Sequence, residues 1–329
     1  MKRNELIDLL KGVAIFLVVM GHAVQWLSGY DTSNRLFIAI YSFHMPLFMF
    51  LSGFVSFNSR REVKLGKRFQ VLVIPFFAWF LVRELIYKYP YRLSSFIDDF
   101  QLLLFDPATG RWFLWILFFL CLLLFIALKI SKQNEELVLI GMILLLFFVS
   151  GVLFTSKPFY GLPELTWYLL FFTLGYLINK HQQIWLKYAN NIGLISVFAF
   201  PLLVSLIKAS GKNTFLEETS LTETTKNILY ALHTYAVAIA GIFAFYFIFD
   251  KLNKFSFKIK NYFIYLGKLS LEIYVTHYYF YFLIKYFESS NFLYLNVLLF
   301  TILAIIGSIL AQYLLKKSSL LARILYGKF

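Results

Sequence analysis

Cysteine is almost missing from this 329-residue chain: Cys121 stands alone inside an apolar run. That excludes an intramolecular disulfide framework and a cysteine-rich metal site. Charge is also scarce. Charged residues make up 15% of the chain and hydrophobic residues 60%, whereas soluble domains carry about 25% charged residues. Acids are scarcer than bases, 17 against 31, for a formal net charge of +14. No Gly-rich phosphate loop and no G-x-S-x-G elbow occurs, and no set of His, Asp and Glu has metal-ligand spacing, so no metal is expected. No internal repeat is visible either, which removes the commonest signature of a transporter.

What the chain has in abundance is long hydrophobic runs. They lie at approximately 6–27, 36–57, 68–88, 112–130, 137–155, 163–180, 191–208, 227–249, 262–285 and 292–315. A bilayer core takes about 20 helical residues, so the pattern predicts an all-α integral membrane protein of about ten transmembrane helices. The breaks are too short for a soluble domain, and residues 1–329 are predicted to form one membrane-embedded domain. The start MKRNELIDLLKG is basic, but the segment behind it is long and carries charges, so it reads as a retained first helix rather than a cleaved signal.

Lys and Arg cluster in alternate connections: Lys2–Arg3, the stretch from Arg60 to Arg68, Lys129/Lys132, Lys180/Lys187, Lys251 to Lys260, and the tail from Lys316. The opposite connections hold Asp98, Asp99, Asp106, Glu217, Glu218, Glu223 and Glu288. By the positive-inside rule both termini are expected in the cytoplasm, and the excess charge needs no nucleic acid. Two longer connections, 89–111 and 209–226, are expected outside. The first contains an amphipathic piece at Phe96–Phe105 suited to the interface; the second is a polar surface loop.

The chemistry is concentrated in the stretch Asp8–His22, DLLKGVAIFLVVMGH. Eleven residues separate Lys11 from His22, about three turns plus roughly 20°, so both lie on one helical face some 16 Å apart. Ionisable groups inside a membrane are costly and usually face a functional interior. The bland alternative is that Lys11 snorkels to the headgroups and His22 caps a helix end. The second span carries FHMPLFMFLSGF, where His44 precedes Pro46, a helix-bending residue, and Ser52–Gly53 permits close helix approach. Antiparallel packing would bring His22 and His44 to similar depth.

Lys67 and Arg68 open the third span, where they can be ordinary flanking cations or a phosphate-binding mouth. Arg83, Arg111 and Trp112 sit near outer helix ends, as snorkelling and belt residues or as a platform for sugar. In LGKLSLEIYVTHYYF, Ser270, Tyr274 and His277 share a face by their spacing, and Glu272 lies off it. His181 and His233 read as structural.

Taken in order, DLLKGVAIFLVVMGH, FHMPLFMFLSGF, WFL at 112–114 and LGKLSLEIYVTH resemble the membrane-bound acyltransferase 3 family, near its fucose-4-O-acetylase-related members. The likeness runs from residue 5 to about 280. It implies transfer of an acyl group, usually acetyl from cytoplasmic acetyl-CoA as co-substrate, to a carbohydrate at the outer side of a bacterial inner membrane. It implies that His22 is the essential histidine of the first helix, acting as acyl acceptor or general base. Asp8, Lys11, His44 and Glu272 then join the catalytic set, and Lys11, Lys67 and Arg68 hold the donor. Arg83, Arg111, Trp112, Ser270, Tyr274 and His277 contact the acceptor. Lys11 stands where many members carry Arg, and Val71 takes the place of the second Arg of an RxxR pattern begun by Arg68. Membrane lipids and a homo-oligomeric partner complete the expected partners. The competing reading is a multi-span transporter of a carbohydrate or small solute.

Overall fold

A computed structural model describes residues 4–58, 60–87, 93–153, 159–207, 216, 219–255, 258–287 and 292–328. It is helical throughout, with no strand among the described residues. The helices are α1 (Glu5–Leu27), α2 (Arg35–Tyr41), α3 (His44–Ser56), α4 (Leu65–Arg68), α5 (Ile74–Tyr87), α6 (Leu93–Phe105), α7 (Trp112–Ile130) and α8 (Glu135–Leu153). There follow α9 (Leu162–Lys180), α10 (Gln182–Ser205), α11 (Glu223–Asn253), α12 (Lys258–Lys268), α13 (Ser270–Thr276), α14 (Leu293–Leu315) and α15 (Ser319–Tyr326).

Seven helical stretches among the described residues are long and apolar enough to cross a membrane: Glu5–Leu27, Arg35–Ser56, Leu65–Tyr87, Trp112–Ile130, Gln182–Ser205, Glu223–Asn253 and Leu293–Leu315. The other three expected spans are helical but are not among these seven. The run 137–155 is apolar along α8, and its end passes outside the described residues; α9 is diluted by Glu164, Thr166, Thr173 and Asn179. The run 262–285 is divided among α12, α13 and a 3₁₀ helix at His277–Tyr286. Large apolar side chains face outward along α8 and α10, among them Leu144, Phe148, Ile195 and Phe198, the last 71% exposed. Water would not tolerate that surface, and lipid favours it. The amphipathic piece 96–105 lies within α6, whereas half of 209–226, with Glu217 and Glu218, lies outside the described residues, as do Lys2, Arg3 and Glu288.

The chain forms two compact units, Met1–Leu51 with His181–Tyr313, and Ser52–Lys180 with Leu314–Phe329. In the first, α1 and α12 cross with their backbones touching. A Cβ on Gly12 would fall on the carbonyl oxygen of Phe263, and one on Gly267 would fall on that of Asp8. Small residues at such crossings let helices gain van der Waals contact in a solvent that supplies no hydrophobic drive. The second span is broken at Ser42–Phe43, not at Pro46 itself. The break is Pro46's doing all the same. The proline lacks the amide that would bond the Ser42 carbonyl, and its ring crowds that carbonyl.

In the second unit Gly53 brings α3 against the α9 backbone at Phe172. The third expected span is interrupted by a π-helical turn at Phe69–Val73. Against this turn and α5 lies α15: Trp79 Nε1 donates to the Leu325 carbonyl at 2.8 Å, and Gly327, at φ +61°, rests on Val71. A buried ion cluster joins the start of α8 to the end of α9. Glu135, 0% exposed, accepts from Lys180 Nζ at 2.8 Å and from the Tyr176 hydroxyl at 3.1 Å, with Arg61 at 3.6 Å; Lys180 also pairs with Glu136. Burial would raise the Glu135 pKa, but Lys180 and Tyr176 outweigh it and hold the carboxyl below the usual carboxylate range.

Two predictions follow from these contacts. Gly267→Val must separate α1 from α12, at a cost of at least the ~1–3 kcal/mol typical of overpacking; a clear fall in the melting temperature of the purified protein is expected, and an unchanged one would refute the crossing. Lys180→Met leaves Glu135 buried beside one distant cation, which should cost about 3–5 kcal/mol at neutral pH. Because the Glu135 pKa is depressed by folding, the cluster's stabilisation is present above the unfolded-state carboxylate pKa and fades as pH falls. The difference between wild type and Lys180→Met should therefore shrink on acidification; a difference constant with pH would exclude this role.

Candidate active site

In the first unit three imidazoles and several phenols converge. His22 lies late on α1, half-buried, with Gln25 one turn on along the same face. Its Nδ1 lies 3.0 Å from the Tyr41 hydroxyl of α2 and 3.4 Å from Gln25 Oε1. The Tyr41 hydroxyl in turn donates to Gln25 Oε1 at 3.0 Å. From the 3₁₀ helix, the Tyr278 hydroxyl lies 3.0 Å from His22 Nε2 and 3.1 Å from Nδ1. The His277 ring stacks on His22 with centroids 5.6 Å apart, and Tyr281 closes the cluster at 6.3 Å. A 3₁₀ helix repeats every three residues, so Tyr278 and Tyr281 eclipse on one side, their rings 5.0 Å apart.

His44 belongs to the same constellation at one remove. Its ring meets Tyr41 edge-on at 4.9 Å, and its Nδ1–H donates to the Ile40 carbonyl at 2.7 Å. His277 repeats that device, donating from Nδ1 to the Ile273 carbonyl at 3.0 Å. Both lie at helix breaks, where the carbonyl accepts a backbone amide and the ring together, and a carbonyl can only accept. The tautomers of His44 and His277 are thereby fixed. Both rings are buried, 3% and 0% exposed.

The remaining expected residues distribute as follows. Asp8, buried, and Lys11, half-buried, lie at the α1–α12 crossing, below His22 on α1. Tyr274 sits in line with His277, its ring 6.2 Å away; Ser270 opens α13, and Glu272 is buried on it. The first unit thus gathers His22, His44, His277 and Tyr274, and supports Lys11 and Asp8 on the same helix. Lys67, Arg68, Arg83, Arg111 and Trp112 belong to the second unit. Arg68 ends α4 beside the π-helical turn, and its charge reaches Cys121 of α7. Arg83 grips Glu84 with Nε and Nη2, at 3.0 and 2.8 Å, and donates to the Thr109 carbonyl. Arg111 precedes α7, and Trp112 stacks on Tyr168 at 5.2 Å. His181 is exposed at the head of α10, and His233 bonds the backbone at Leu203.

Gln25, Tyr41, Tyr278 and Tyr281 were not picked out by sequence reasoning. Gln25 could have been found by its spacing from His22. Tyr278 could not, because its direction depends on a change from α to 3₁₀ geometry at His277.

Apolar outward faces and several long apolar helices define a multi-pass membrane protein, here with an interior cluster of imidazole and phenol. Comparison with known proteins supplies the chemistry. The acyltransferase-3 family, described as an acyltransferase domain, matches residues 4–316. The chain belongs to that family. Two relatives are nodulation protein NolL from Mesorhizobium japonicum and from Sinorhizobium fredii. The first is 26% identical over 212 residues, 60% of this chain and 55% of that protein. The second is 38% identical over 85 residues, 23% of each chain. The chain therefore spans about half the length of the first relative and less of the second. No solved structure matches it.

Among the site histidines only His22 is open enough to meet a reagent. Limited treatment with diethyl pyrocarbonate should modify His22 and the exposed His181 before His44 and His277. Peptide mass mapping reads the order, and early labelling of His44 or His277 would contradict this geometry.

Proposed function

We propose that this protein is a membrane-bound O-acetyltransferase. It moves acetyl from cytoplasmic acetyl-CoA to a hydroxyl of a cell-surface carbohydrate or its lipid-linked precursor, as fucose-4-O-acetylase-related enzymes do. The observation that carries this reading is His22, half-buried between two phenol hydroxyls in a chain of the acyltransferase-3 family. We place it in a bacterial inner membrane with about ten spans and both termini in the cytoplasm, on the distribution of Lys and Arg.

On the direct route His22 removes the acceptor hydroxyl's proton as the oxygen attacks the thioester carbonyl. The carbon–sulfur bond breaks, and the thiolate recovers the proton from the imidazolium. On the two-step route the imidazole attacks the thioester carbonyl, the carbon–sulfur bond breaks and CoA leaves with the imidazole's proton; the acceptor hydroxyl then attacks the acetyl-imidazole, the carbon–nitrogen bond breaks and the hydroxyl's proton returns to the imidazole. Lys67 and Arg68 are assigned to the phosphates of the donor. The second unit also has a cavity of about 260 Å³ lined by Arg61, Lys64, Lys129 and Lys132, a charge set suited to polyphosphate. Lys11 and Asp8 are assigned to the donor's inner end, and His44 and Glu272 to support of the centre. Arg83, Arg111, Trp112, Ser270, Tyr274 and His277 are assigned to the acceptor residue by residue.

The test uses membranes containing the protein and acetyl-CoA labelled in its acetyl group. Wild type should release CoA and label a glycan, and His22→Ala should abolish both. Arg68→Ala should raise KM for acetyl-CoA roughly tenfold, the loss of one charge-assisted contact. Turnover independent of His22 would sink the assignment of the chemistry to it. No turnover, even with the organism's own glycans supplied, would turn the reading to transport.

A further inference from the structure

We propose that Gln25 and Tyr41 hold His22 as the Nδ1–H tautomer, leaving Nε2 as the atom that works. The inference rests on His22 being the reaction centre, and it concerns residues outside the catalytic set assigned above. It begins from counting protons. A tyrosine hydroxyl has one proton to give and lone pairs to accept with. Tyr41 gives its proton to Gln25 Oε1, at 3.0 Å. Its oxygen, 3.0 Å from His22 Nδ1, can then only accept, so Nδ1 carries the hydrogen. Gln25 Oε1, at 3.4 Å from the same nitrogen, is a second acceptor and agrees with that assignment.

With Nδ1 protonated, the neutral imidazole has its lone pair on Nε2. The Tyr278 oxygen, 3.0 Å from Nε2 and 3.1 Å from Nδ1, is nearly equidistant from the two nitrogens and so lies over the imidazole face. The Nε2 lone pair lies in the ring plane and points away from that phenol, the direction from which a general base takes a proton. Gly21 completes the arrangement: a Cβ there would lie 3.0 Å from the Tyr41 ring and 3.1 Å from Ile40. The residue beside the histidine is small so that the phenol can come close. Tyr41 and Gln25 are positioning residues, acting on the reaction through the imidazole.

The direct test reads the tautomer without turnover. Full-length protein with ¹⁵N-histidine is placed in lipid nanodiscs, and the His22 signals are identified by their loss in His22→Gln. Wild type should show a protonated Nδ1 and a bare Nε2. Tyr41→Phe, which keeps the ring on Gly21, and Gln25→Leu should both move the population toward Nε2–H, and should lower acetyl transfer roughly 10- to 100-fold, less than the about 10²–10⁴ lost when a positioned base is removed outright. Gln25→Glu keeps an acceptor oxygen, so it should preserve the tautomer. Its carboxylate would stabilise the imidazolium and shift the acidic limb of the pH–rate profile upward, whereas Gln25→Leu should not. The other titratable groups facing His22 are Tyr41 from α2, with His44 of α3 behind it, and His277, Tyr278 and Tyr281 from the 3₁₀ helix; all are unchanged in Gln25→Glu. Wild-type His22 carrying its proton on Nε2, or a tautomer indifferent to Tyr41→Phe and Gln25→Leu, would overturn the inference and leave the acyl-transfer reading standing. The predicted tautomer with transfer that survives His22→Ala would do the reverse.

Discussion

The contact on which the first unit depends is made by backbone. At Gly12 and Gly267 two helices meet with nothing between their chains, an approach that fixes rotation and register together, because neither helix can turn without driving a side chain into a carbonyl. The consequence is felt several turns away. From Gly267 the chain passes through α13 into the 3₁₀ helix, and from Gly12 α1 continues to His22. The two paths meet again where the Tyr278 hydroxyl reaches the imidazole. A crossing of small residues near one end thus sets the distance at which phenol and imidazole face each other at the other. In lipid, where apolar side chains gain little by leaving their solvent, such close backbone packing is among the few sources of a rigid register.

Helix breaks do the complementary work. An unbroken helix spends its carbonyls on its own amides, and a histidine on it must look elsewhere for a partner. At the break before His44 and the change of pitch at His277, the carbonyl four residues back accepts from the ring as well as from a backbone amide. Those bonds fix Nδ1 of both imidazoles as a donor to backbone, since a carbonyl cannot donate, and leave their lone pairs on Nε2. His22 sits within a continuous helix and finds side-chain partners instead. Hydroxyl and amide groups can rotate and re-pair during a proton transfer. Three histidines at one place therefore have different chemical freedoms, and the difference comes from helix geometry more than from residue type.

The parts of this arrangement legible in the sequence were those that obey one period. The Lys11–His22 stripe could be read because α1 is unbroken from Glu5 to Leu27, and α7 occupies the expected 112–130 residue for residue. The stripe Ser270, Tyr274, His277 was read with a single α-helical period, and it holds as far as the contact of Tyr274 with His277. Beyond His277 the period changes, so the phenols that face His22 were invisible. The start of α10 at Gln182, ahead of the expected 191, was hidden for a simpler reason: its first turns are polar and carry Lys187 and two Asn. Arg83 illustrates a different limit. Its place near a helix end was readable, but its grip on Glu84 depends on the rotation of α5 and on where the chain returns at Thr109.

The treatment of charge separates two kinds of residue in the second unit. Glu84 and Glu135 are buried, and each is met by a cation at hydrogen-bonding distance, Arg83 and Lys180. An ion in that setting is expensive unless paired; Lys180 joins the end of α9 to the start of α8 through Glu135, whereas Arg83 and Glu84 pair within α5. Lys64, Lys67, Lys129 and Lys132 are exposed on connections and helix ends, where hydration already satisfies an ammonium and pairing would return little. Their number is not needed for stability, and like charges gathered in one place oppose folding slightly. What such a group does well is to raise the local concentration of a multivalent anion and to release water and counterions when it arrives. The physical cost of leaving these cations together is small, and a multivalent anion or the anionic surface of a cytoplasmic leaflet turns their repulsion into an attraction.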